Sequence, residues 1–211
     1  GTVKRRISMA KINGITQKTR NPFVNLYELD RESKTGKKGK YYVASRAKDQ
    51  EALKLRTRKN TPDGVIIYSL YGEKQDRVVL VRQYRYSIDD YIYEFPAGLV
   101  EPEENFKEAG IREMKEETGL TFTPIEVDPA YEKPAFTTIG LTDESCAIVF
   151  GMAEGRISRE FQEDTEEIEV VLADREEVRR ILKEENIAIM CSYMLMHFLH
   201  DEKPFDFLKE L

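Results

Sequence analysis

Three glutamates, Glu113, Glu116 and Glu117, are spaced three and four residues apart in a segment whose pattern predicts a helix. Side chains at this spacing lie on one helix face, where like charges repel one another. Their position near the helix C-terminus is unfavourable by a further 0.3–1 kcal/mol or so per group. Carboxylate oxygens are hard ligands that suit Mg²⁺ or Mn²⁺, and a bound cation would relieve the repulsion. The spacing therefore favours a divalent-cation site, and a solvated acidic face is the alternative.

The residues before these glutamates predict that the same face of the helix is buried. Ala109 and Gly110 fall on the same face, so that face is small where it leads to the carboxylates. Gly110 lowers the helix propensity by up to about 1 kcal/mol, as if something had to approach closely. Arg112 is placed to pair with Glu108 or Glu116, four residues away in either direction, and to hold the carboxylates in position.

This stretch resembles the Nudix box. Gly98, Glu104 and the run Arg112-Glu113-Met114-Lys115-Glu116-Glu117-Thr118-Gly119-Leu120 match every fixed position of that motif at its spacing. The resemblance covers about residues 60–200. It implies a Nudix α/β/α sandwich with a mixed sheet (an α/β or α+β class), in which the box holds divalent metals against a diphosphate. Glu104 either orients the loop or binds metal only when substrate is present.

The resemblance also implies roles for individual residues. By position, Glu113 and Glu117 are the principal metal ligands, and the carbonyl of Ala97 is a further ligand. The implied cofactor is Mg²⁺, with Mn²⁺ possible, because such ions neutralise phosphate oxygens and lower the pKa of a bound water. Arg112 and Glu116 are assigned to the catalytic machinery, and a purely structural role for both stays open.

Two features outside the box resemble the ADP-ribose pyrophosphatase and nucleotide-sugar branch of that family. A β-rich element, residues 1–58, precedes the hydrolase domain, residues 59–211; in that branch such an element helps to build a homodimer whose active sites draw on both subunits. Gln83-Tyr84-Arg85 ends the strand before the box, where the branch places an arginine near a substrate phosphate. Arg85 is therefore a candidate substrate-binding residue, together with Gly98.

A third resemblance is partial. Gly140-Leu141-Thr142-Asp143-Glu144 is similar to the branch's loop that ends in a glutamate, which makes Glu144 a further substrate-binding candidate. Ile139, however, stands where that branch has proline before the glycine. This departure keeps other nucleotide sugars open beside ADP-ribose.

The acidic loop, Glu163–Glu167, precedes a strand. The branch uses an acidic loop just ahead of an acidic residue followed by isoleucine, and Glu167-Ile168 matches that pair. This alignment makes Asp164 the candidate general base and Glu166 a further metal ligand. A slip of one residue gives the base role to Glu163, and a solvated acidic loop is the remaining alternative.

The apolar patterns predict the elements that position these residues. Two further signals mark helix boundaries: Gly119 closes the box helix, and Asp174 caps the next one. Strands are predicted over Asn25–Arg31, Tyr41–Arg46, Val65–Leu70, Arg77–Arg85, Tyr91–Phe95, Ser145–Gly151 and Ile168–Val171. Helices are predicted over Asn105–Thr118, Arg175–Glu184 and Met190–Leu199.

Several aromatic side chains and both thiols are interpreted most simply as parts of the hydrophobic core. Phe23, Tyr27 and Tyr84 are candidates for stacking on a nucleobase, but each is more simply a strand residue of the core. Cys146 and Cys191 lie in apolar runs, where buried free thiols are expected.

Composition limits the partners. The net charge is −6, which argues against binding to a nucleic-acid backbone, and no apolar stretch approaches the roughly 20 residues of a membrane helix. We expect a soluble, cytoplasmic protein with a small-molecule substrate. The basic stretch Lys34–Lys40 predicts a solvated hairpin turn, with an anion site as the alternative.

The resemblance therefore implies a Mg²⁺-dependent hydrolase that cleaves a nucleoside diphosphate sugar, with cleavage of ADP-ribose to AMP and ribose 5-phosphate as the first expectation. UDP-glucose, GDP-mannose and nucleoside triphosphates are alternative substrates. A ligand-sensing Nudix domain without turnover is the alternative from another class, although all three box glutamates are present.

Overall fold

The computed structural model describes residues 9–209, which divide into two compact units. Within the described residues, the first unit comprises residues 9–63 and 135–145, and the second comprises residues 64–134 and 146–209. In chain order the strands are β1 (Lys11–Gln17), β2 (Asn25–Glu32), β3 (Lys38–Ser45), β4 (Gly64–Tyr71), β5 (Arg77–Arg85), β6 (Asp90–Glu94), β7 (Ala97–Leu99), β8 (Thr121–Pro124), β9 (Ala135–Phe136), β10 (Ser145–Glu154) and β11 (Ile168–Ala173). The α-helices are α1 (Lys54–Thr57), α2 (Phe106–Thr118), α3 (Arg175–Glu184) and α4 (Ile189–His200).

The first unit is built on an antiparallel sheet with the strand order β1-β2-β3. The side chains of β2 alternate in burial, and Tyr27 and Leu29 pack with Val43 and Leu53 in a small core. Tyr27 is fully buried, which confirms its interpretation as core, whereas Phe23 is 78% exposed, so the same interpretation of Phe23 is wrong. The first part of the basic stretch, Lys34–Lys37, lies in the β2–β3 hairpin turn, and its remaining residues begin β3.

The second unit has a mixed sheet with the order β11-β5-β4-β10-β8, to which β6 adds beside β5 and β7 beside β4. Strands β4 and β10 are parallel, and the other named pairs of this unit are antiparallel. Successive residues of a strand point to opposite sheet faces. Accordingly, Val65 and Ile67 pack with α2, whereas Tyr68 and Leu70 pack with α3 and α4. The predicted α/β/α layers and mixed sheet are confirmed.

The predicted elements occur with small shifts of their ends, and four strands were not predicted. These are β1, which carries a bulge between Ile12 and Gly14, and the short strands β7, β8 and β9. Asp174 caps α3 as predicted, with its side chain accepting from the backbone NH of Glu177. Cys191 is buried and free as expected, but Cys146 is only half-buried, so that part of the expectation is wrong. No helix within residues 9–209 is long and apolar enough to cross a membrane.

Candidate active site

Helix α2 is fixed at both ends and packed tightly on the sheet. Asn105 and Glu108 form a capping box, each side chain accepting from the other's backbone NH, and Gly119 ends the helix with φ at 78°. A Cβ on Gly110 would meet the Val149 side chain at 3.4 Å. This distance is ordinary van der Waals contact, so the structure does not show the close approach that Gly110 predicted.

Two carboxylates of α2 are removed from water. Glu117 is 4% exposed, and burial raises its pKa well above the ordinary value, with the negative charges of Glu113 and Glu166 raising it further. Burial likewise raises the pKa of Glu113 to about 7, against the opposing effect of Arg112. The backbone NH of Ala97 lies 3.4 Å from Glu117 Oε2. Within residues 9–209 no ion pair to Glu117 is formed. The site therefore concentrates negative charge that a cation would stabilise.

Gly98 provides the space that Glu113 occupies. A Cβ at position 98 would overlap the carboxylate of Glu113, so any larger residue here would push that carboxylate out of its place. Its backbone is not in the left-handed region, so the requirement is steric and not conformational.

Arg112 organises the surrounding carboxylates. Its Nε and Nη2 donate to Glu104 Oε1 and Oε2 at 2.8 and 3.0 Å, which is a bidentate pair. Nη1 donates to Glu113 Oε1 at 2.8 Å and to Glu116 Oε2 at 3.1 Å, and Nη2 also donates to the carbonyl of Leu99. The predicted pairing with Glu116 is present. One guanidinium thus joins the loop before α2 to the carboxylates on it.

The hydrogen bonds of Glu108 and Glu104 bear on two further predictions for this helix and the loop before it. Glu108 serves the N-terminal capping box, so the alternative pairing of Arg112 with Glu108 is wrong. Glu104 also accepts from the backbone NH of Glu101 at 3.0 Å, in agreement with a role in orienting the loop. Glu116 is more exposed than Glu113, with 42% against 13% of the side chain accessible.

The donor set fits a magnesium ion better than a metal held by protein side chains alone. Among residues 9–209 no group of three or more histidine, cysteine or acidic side chains is arranged to hold one metal. Mg²⁺ is usually held by one or two carboxylates together with waters and substrate phosphates. The buried carboxylate of Glu117 and the half-buried one of Glu113, beside the backbone of Ala97, match that requirement.

Arg85 lies at the end of β5, on the side of Glu117. It makes a bidentate pair with Glu94, at 2.7 and 3.1 Å, and its positive charge lowers the pKa of Glu117 in part. The neighbouring Tyr84 is half-buried and makes edge contacts with the rings of Tyr86 and Tyr91, at centroid distances of 5.1 and 5.7 Å.

The acidic loop contributes unequally to this site. Glu166 is half-buried, and its charge raises the pKa of both Glu113 and Glu117. Glu163 and Asp164 are exposed, and in the described part of the chain Asp164 makes no side-chain hydrogen bond or ion pair. The structure thus brings Glu166 to the cluster and leaves Asp164 exposed at the loop surface.

A polar cavity of about 200 Å³ lies beside the acidic loop. Arg82 stacks over the ring of Tyr91 at 3.8 Å, and the hydroxyl of Tyr91 donates to Glu167. Gln162 also lines the cavity, and its side chain donates to the carbonyl of Glu117 at 2.7 Å. Sequence reasoning missed Gln162, because a neutral residue beside an acidic run carries no charge signal.

Glu144 belongs to the first unit. Its carboxylate accepts from Arg46 Nε at 2.7 Å and from Thr137 Oγ1 at 3.0 Å. The loop that carries it is tied to β3 by a bond from the Ala44 NH to the Leu141 carbonyl and by the Tyr41 hydroxyl.

Comparison with known proteins identifies the family. Residues 60–191 match the NUDIX domain, a span that contains both the buried carboxylates of α2 and the acidic loop. The chain belongs to the NUDIX family.

Several relatives of this NUDIX protein carry related names. It is 36% identical over 119 residues to "Putative nudix hydrolase 2" of Caenorhabditis elegans, covering 54% of this chain and 52% of that protein. It is 37% identical over 83 residues to "ADP-sugar pyrophosphatase" of Mus musculus, with 38% of each chain covered. It is 31% identical over 108 residues to "ADP-ribose pyrophosphatase" of Saccharomyces cerevisiae, covering 50% of this chain and 47% of that one. These relatives confirm the predicted resemblance to that branch, and the chain spans about half of their length or less.

A solved NUDIX-like structure supports the fold. The protein described as "Crystal structure of ADP compounds hydrolase" superposes with a TM-score of 0.64, covering 90% of this chain and 91% of that one. At 16% identity, this likeness establishes the common fold and leaves the chemistry to the residues themselves.

Proposed function

We propose that this NUDIX protein hydrolyses the pyrophosphate bond of a nucleoside diphosphate sugar with Mg²⁺, and that ADP-ribose is the first candidate substrate. The observation that carries the proposal is the buried carboxylate of Glu117 beside Glu113 and Glu166. Such a cluster is costly unless a cation joins it. The names of the mouse and yeast relatives favour an ADP-linked sugar as substrate.

In this proposal the box holds the metal. Glu113, Glu117 and the carbonyl of Ala97 bind Mg²⁺, and Glu166 joins them from the acidic loop. When bound, Mg²⁺ neutralises the phosphate oxygens and lowers the pKa of the attacking water. Arg112 keeps Glu113 oriented through the network that it shares with Glu104 and Glu116.

The remaining residues act on the substrate. Asp164 accepts a proton from the water that attacks one phosphorus, the bridging P–O bond breaks, and two phosphomonoesters leave as AMP and ribose 5-phosphate. Glu163 is the alternative base. Arg85, released in part from Glu94, binds a non-bridging phosphate oxygen, and the backbone of Gly98 lies beside the diphosphate. Only Arg85 carries a positive charge in this set, which suits an anionic substrate.

We also propose a cytoplasmic homodimer formed through the N-terminal β-rich element, with Glu144 as a substrate-binding residue. The support for both is the resemblance to the branch. In the structure Glu144 is already oriented by Arg46 and Thr137, as a recognition residue on a loop would need to be.

The decisive experiment measures phosphate release, after coupling to a phosphatase, from a panel of substrates with Mg²⁺ and with chelator. The panel contains ADP-ribose, UDP-glucose, GDP-mannose, NADH, diadenosine polyphosphates and nucleoside triphosphates. Metal-dependent cleavage of ADP-ribose ahead of the others supports the proposal. Preference for another nucleotide sugar would leave the proposed mechanism unchanged and would replace ADP-ribose as the proposed substrate. Tight binding of one ligand without turnover would replace the enzyme with a sensor.

A further inference from the structure

Gln162 connects the segment before the acidic loop to the end of α2. Its Nε2 donates to the carbonyl of Glu117 at 2.7 Å and lies 3.4 Å from the carbonyl of Ile168, where β11 begins. This half-buried amide, which lies directly before the acidic loop, thus contacts both the end of α2 and the first residue after the loop.

The carbonyl of Glu117 lies in the last turn of α2, where it needs a hydrogen-bond donor from outside the helix. The last carbonyls of a helix have no partner within the helix and need donors from elsewhere. At the end of α2, Ser158 NH donates to the Thr118 carbonyl at 2.9 Å, and Gln162 supplies the donor for the carbonyl one residue earlier. The same short segment therefore satisfies two adjacent carbonyls, once through its backbone and once through a side chain.

The loop itself has few other restraints. Glu163, Asp164 and Thr165 are exposed, and the turn is closed by a bond from the Glu166 NH to the Glu163 carbonyl at 2.9 Å and by one from the Glu163 NH to Glu166 Oε2 at 3.3 Å. Beyond it, the Tyr84 NH donates to the Glu167 carbonyl at 3.2 Å. Within the described residues, Gln162 consequently provides a side-chain hydrogen bond between the segment just before the loop and the residue that carries the buried carboxylate.

We propose that Gln162 is a positioning residue, which holds the acidic loop in register with the carboxylates of α2. The link is short: the amide reaches the main chain of Glu117, whose own side chain is the candidate metal ligand. This inference rests on the proposed function, since the loop is taken to carry the general base and Glu166. A merely structural role would affect stability but not the position of the loop relative to α2.

The test compares three variants. Gln162→Met keeps the length and shape of the side chain and removes the donor, and Gln162→Lys restores an N–H donor at similar reach. Gln50→Met, at an exposed position of the first unit, is the matched control. Each is compared with wild type by hydrogen exchange and by steady-state kinetics on the substrate that wild type cleaves best.

Hydrogen exchange gives a readout that does not depend on turnover. In Gln162→Met, peptides that cover residues 160–168 are expected to exchange roughly five- to tenfold faster, because a hydrogen bond to a helix-end carbonyl is lost. Peptides from α3 are expected to be unchanged, and Gln162→Lys is expected to recover most of the protection. Unchanged exchange in 160–168, or equal acceleration throughout the second unit, overturns the inference.

Kinetics then test what the positioning does. In Gln162→Met, kcat is expected to fall by about 10- to 100-fold, as for a small misplacement of a catalytic group, while KM changes by less than about twofold. Gln162→Lys is expected to recover at least half of the loss in kcat, with the loss expressed as the logarithm of the fold-change. A rise in KM with normal kcat overturns the inference. If wild type cleaves no substrate, the proposed function fails, whereas the exchange result still decides whether Gln162 positions the loop.

Discussion

Gly98 and Glu113 share one space: a Cβ on the glycine would overlap the carboxylate of the glutamate. The strand β7 that carries Gly98 pairs with β4, and α2 packs on that sheet, so a larger residue at position 98 would displace mainly the side-chain carboxylate of Glu113. The position of a candidate metal ligand is therefore set by the absence of a side chain on another element. Steric overlap with Glu113 therefore explains why this position of the box is a glycine.

Gly98→Ala is expected to reduce turnover by at least about 100-fold, because Glu113 must leave its place by about an ångström or more. The cost in stability is expected to be about 1–3 kcal/mol, as for other overpacked sites. Steady-state kinetics and urea unfolding measure the two effects. Gly39→Ala is the control, since its added Cβ meets only the movable end of Arg31, at 3.2 Å. Normal turnover in Gly98→Ala would remove Glu113 from the metal site.

Arg112→Lys is expected to lower the free energy of unfolding by about 1–2 kcal/mol, because an ammonium group cannot reproduce the bidentate pair with Glu104. The measurement is urea unfolding in the presence of chelator. Arg180→Lys on α3 is the matched control: its partners Glu177, Glu184 and Glu185 are more exposed, and a loss of about 0.5 kcal/mol or less is expected. Equal losses in both variants would show that the Arg112 network is an ordinary surface cluster.

The stability that Arg112 contributes is expected to disappear in acid. The hydrogen bond from Arg112 holds the pKa of Glu104 below its ordinary value, which is about 4.5. A carboxyl with a lowered pKa in the folded state contributes stability above its unfolded pKa and loses it as the pH falls through the folded value. The difference in unfolding free energy between wild type and Arg112→Lys is therefore expected to narrow as the pH is lowered below about 4.5. A constant difference over that range would mean that Glu104 is not the partner that matters.

Local patterns were sufficient to predict the three longer helices α2, α3 and α4 and most strands, but not the four-residue helix α1. The bounds of α2 and α3 follow from signals within a few residues, the capping side chains Asn105 and Asp174 and the terminal Gly119. The strand β1 was missed because Lys11–Gln17 is mostly exposed and is interrupted by a bulge, so it lacks a clear alternation. The short strand β7 was missed because three residues carry no period at all.

Long-range pairings were beyond the reach of the sequence. Arg112 was expected to pair along its own helix, but its bidentate partner is Glu104, in the loop that folds back before the helix begins. The segment 135–145 joins the first unit through contacts such as Ala44 with Leu141, which no local pattern indicates. The contact of Gln162 with the Glu117 carbonyl spans 45 residues and depends on the end of α2 meeting the acidic loop.

Mg²⁺ is expected to stabilise wild type far more than Glu117→Gln. With the ion at about 100 times its dissociation constant, binding to the folded state contributes about 2.7 kcal/mol, and most of this gain is expected to vanish when a buried ligand is replaced. Without metal the order should reverse, because the neutral amide removes one of three neighbouring carboxylates from a buried site. Thermal unfolding with Mg²⁺ and with chelator measures both effects. Glu116→Gln, at a more exposed position, is the control. An equal Mg²⁺ gain in Glu117→Gln would exclude Glu117 as a ligand.

Asp164→Asn is expected to lower kcat by about 100-fold or more, with little change in KM, if Asp164 is the general base. Its thermal midpoint should equal that of wild type, because the side chain is exposed and makes no contact in the described range. Glu163→Gln is the variant that tests the register, and Glu160→Gln, also exposed, is the control for charge removal. A large loss in Glu163→Gln alone moves the base by one residue. Loss in neither variant would assign proton transfer to Glu166, since that is the residue of the loop whose charge raises the pKa of Glu113 and Glu117.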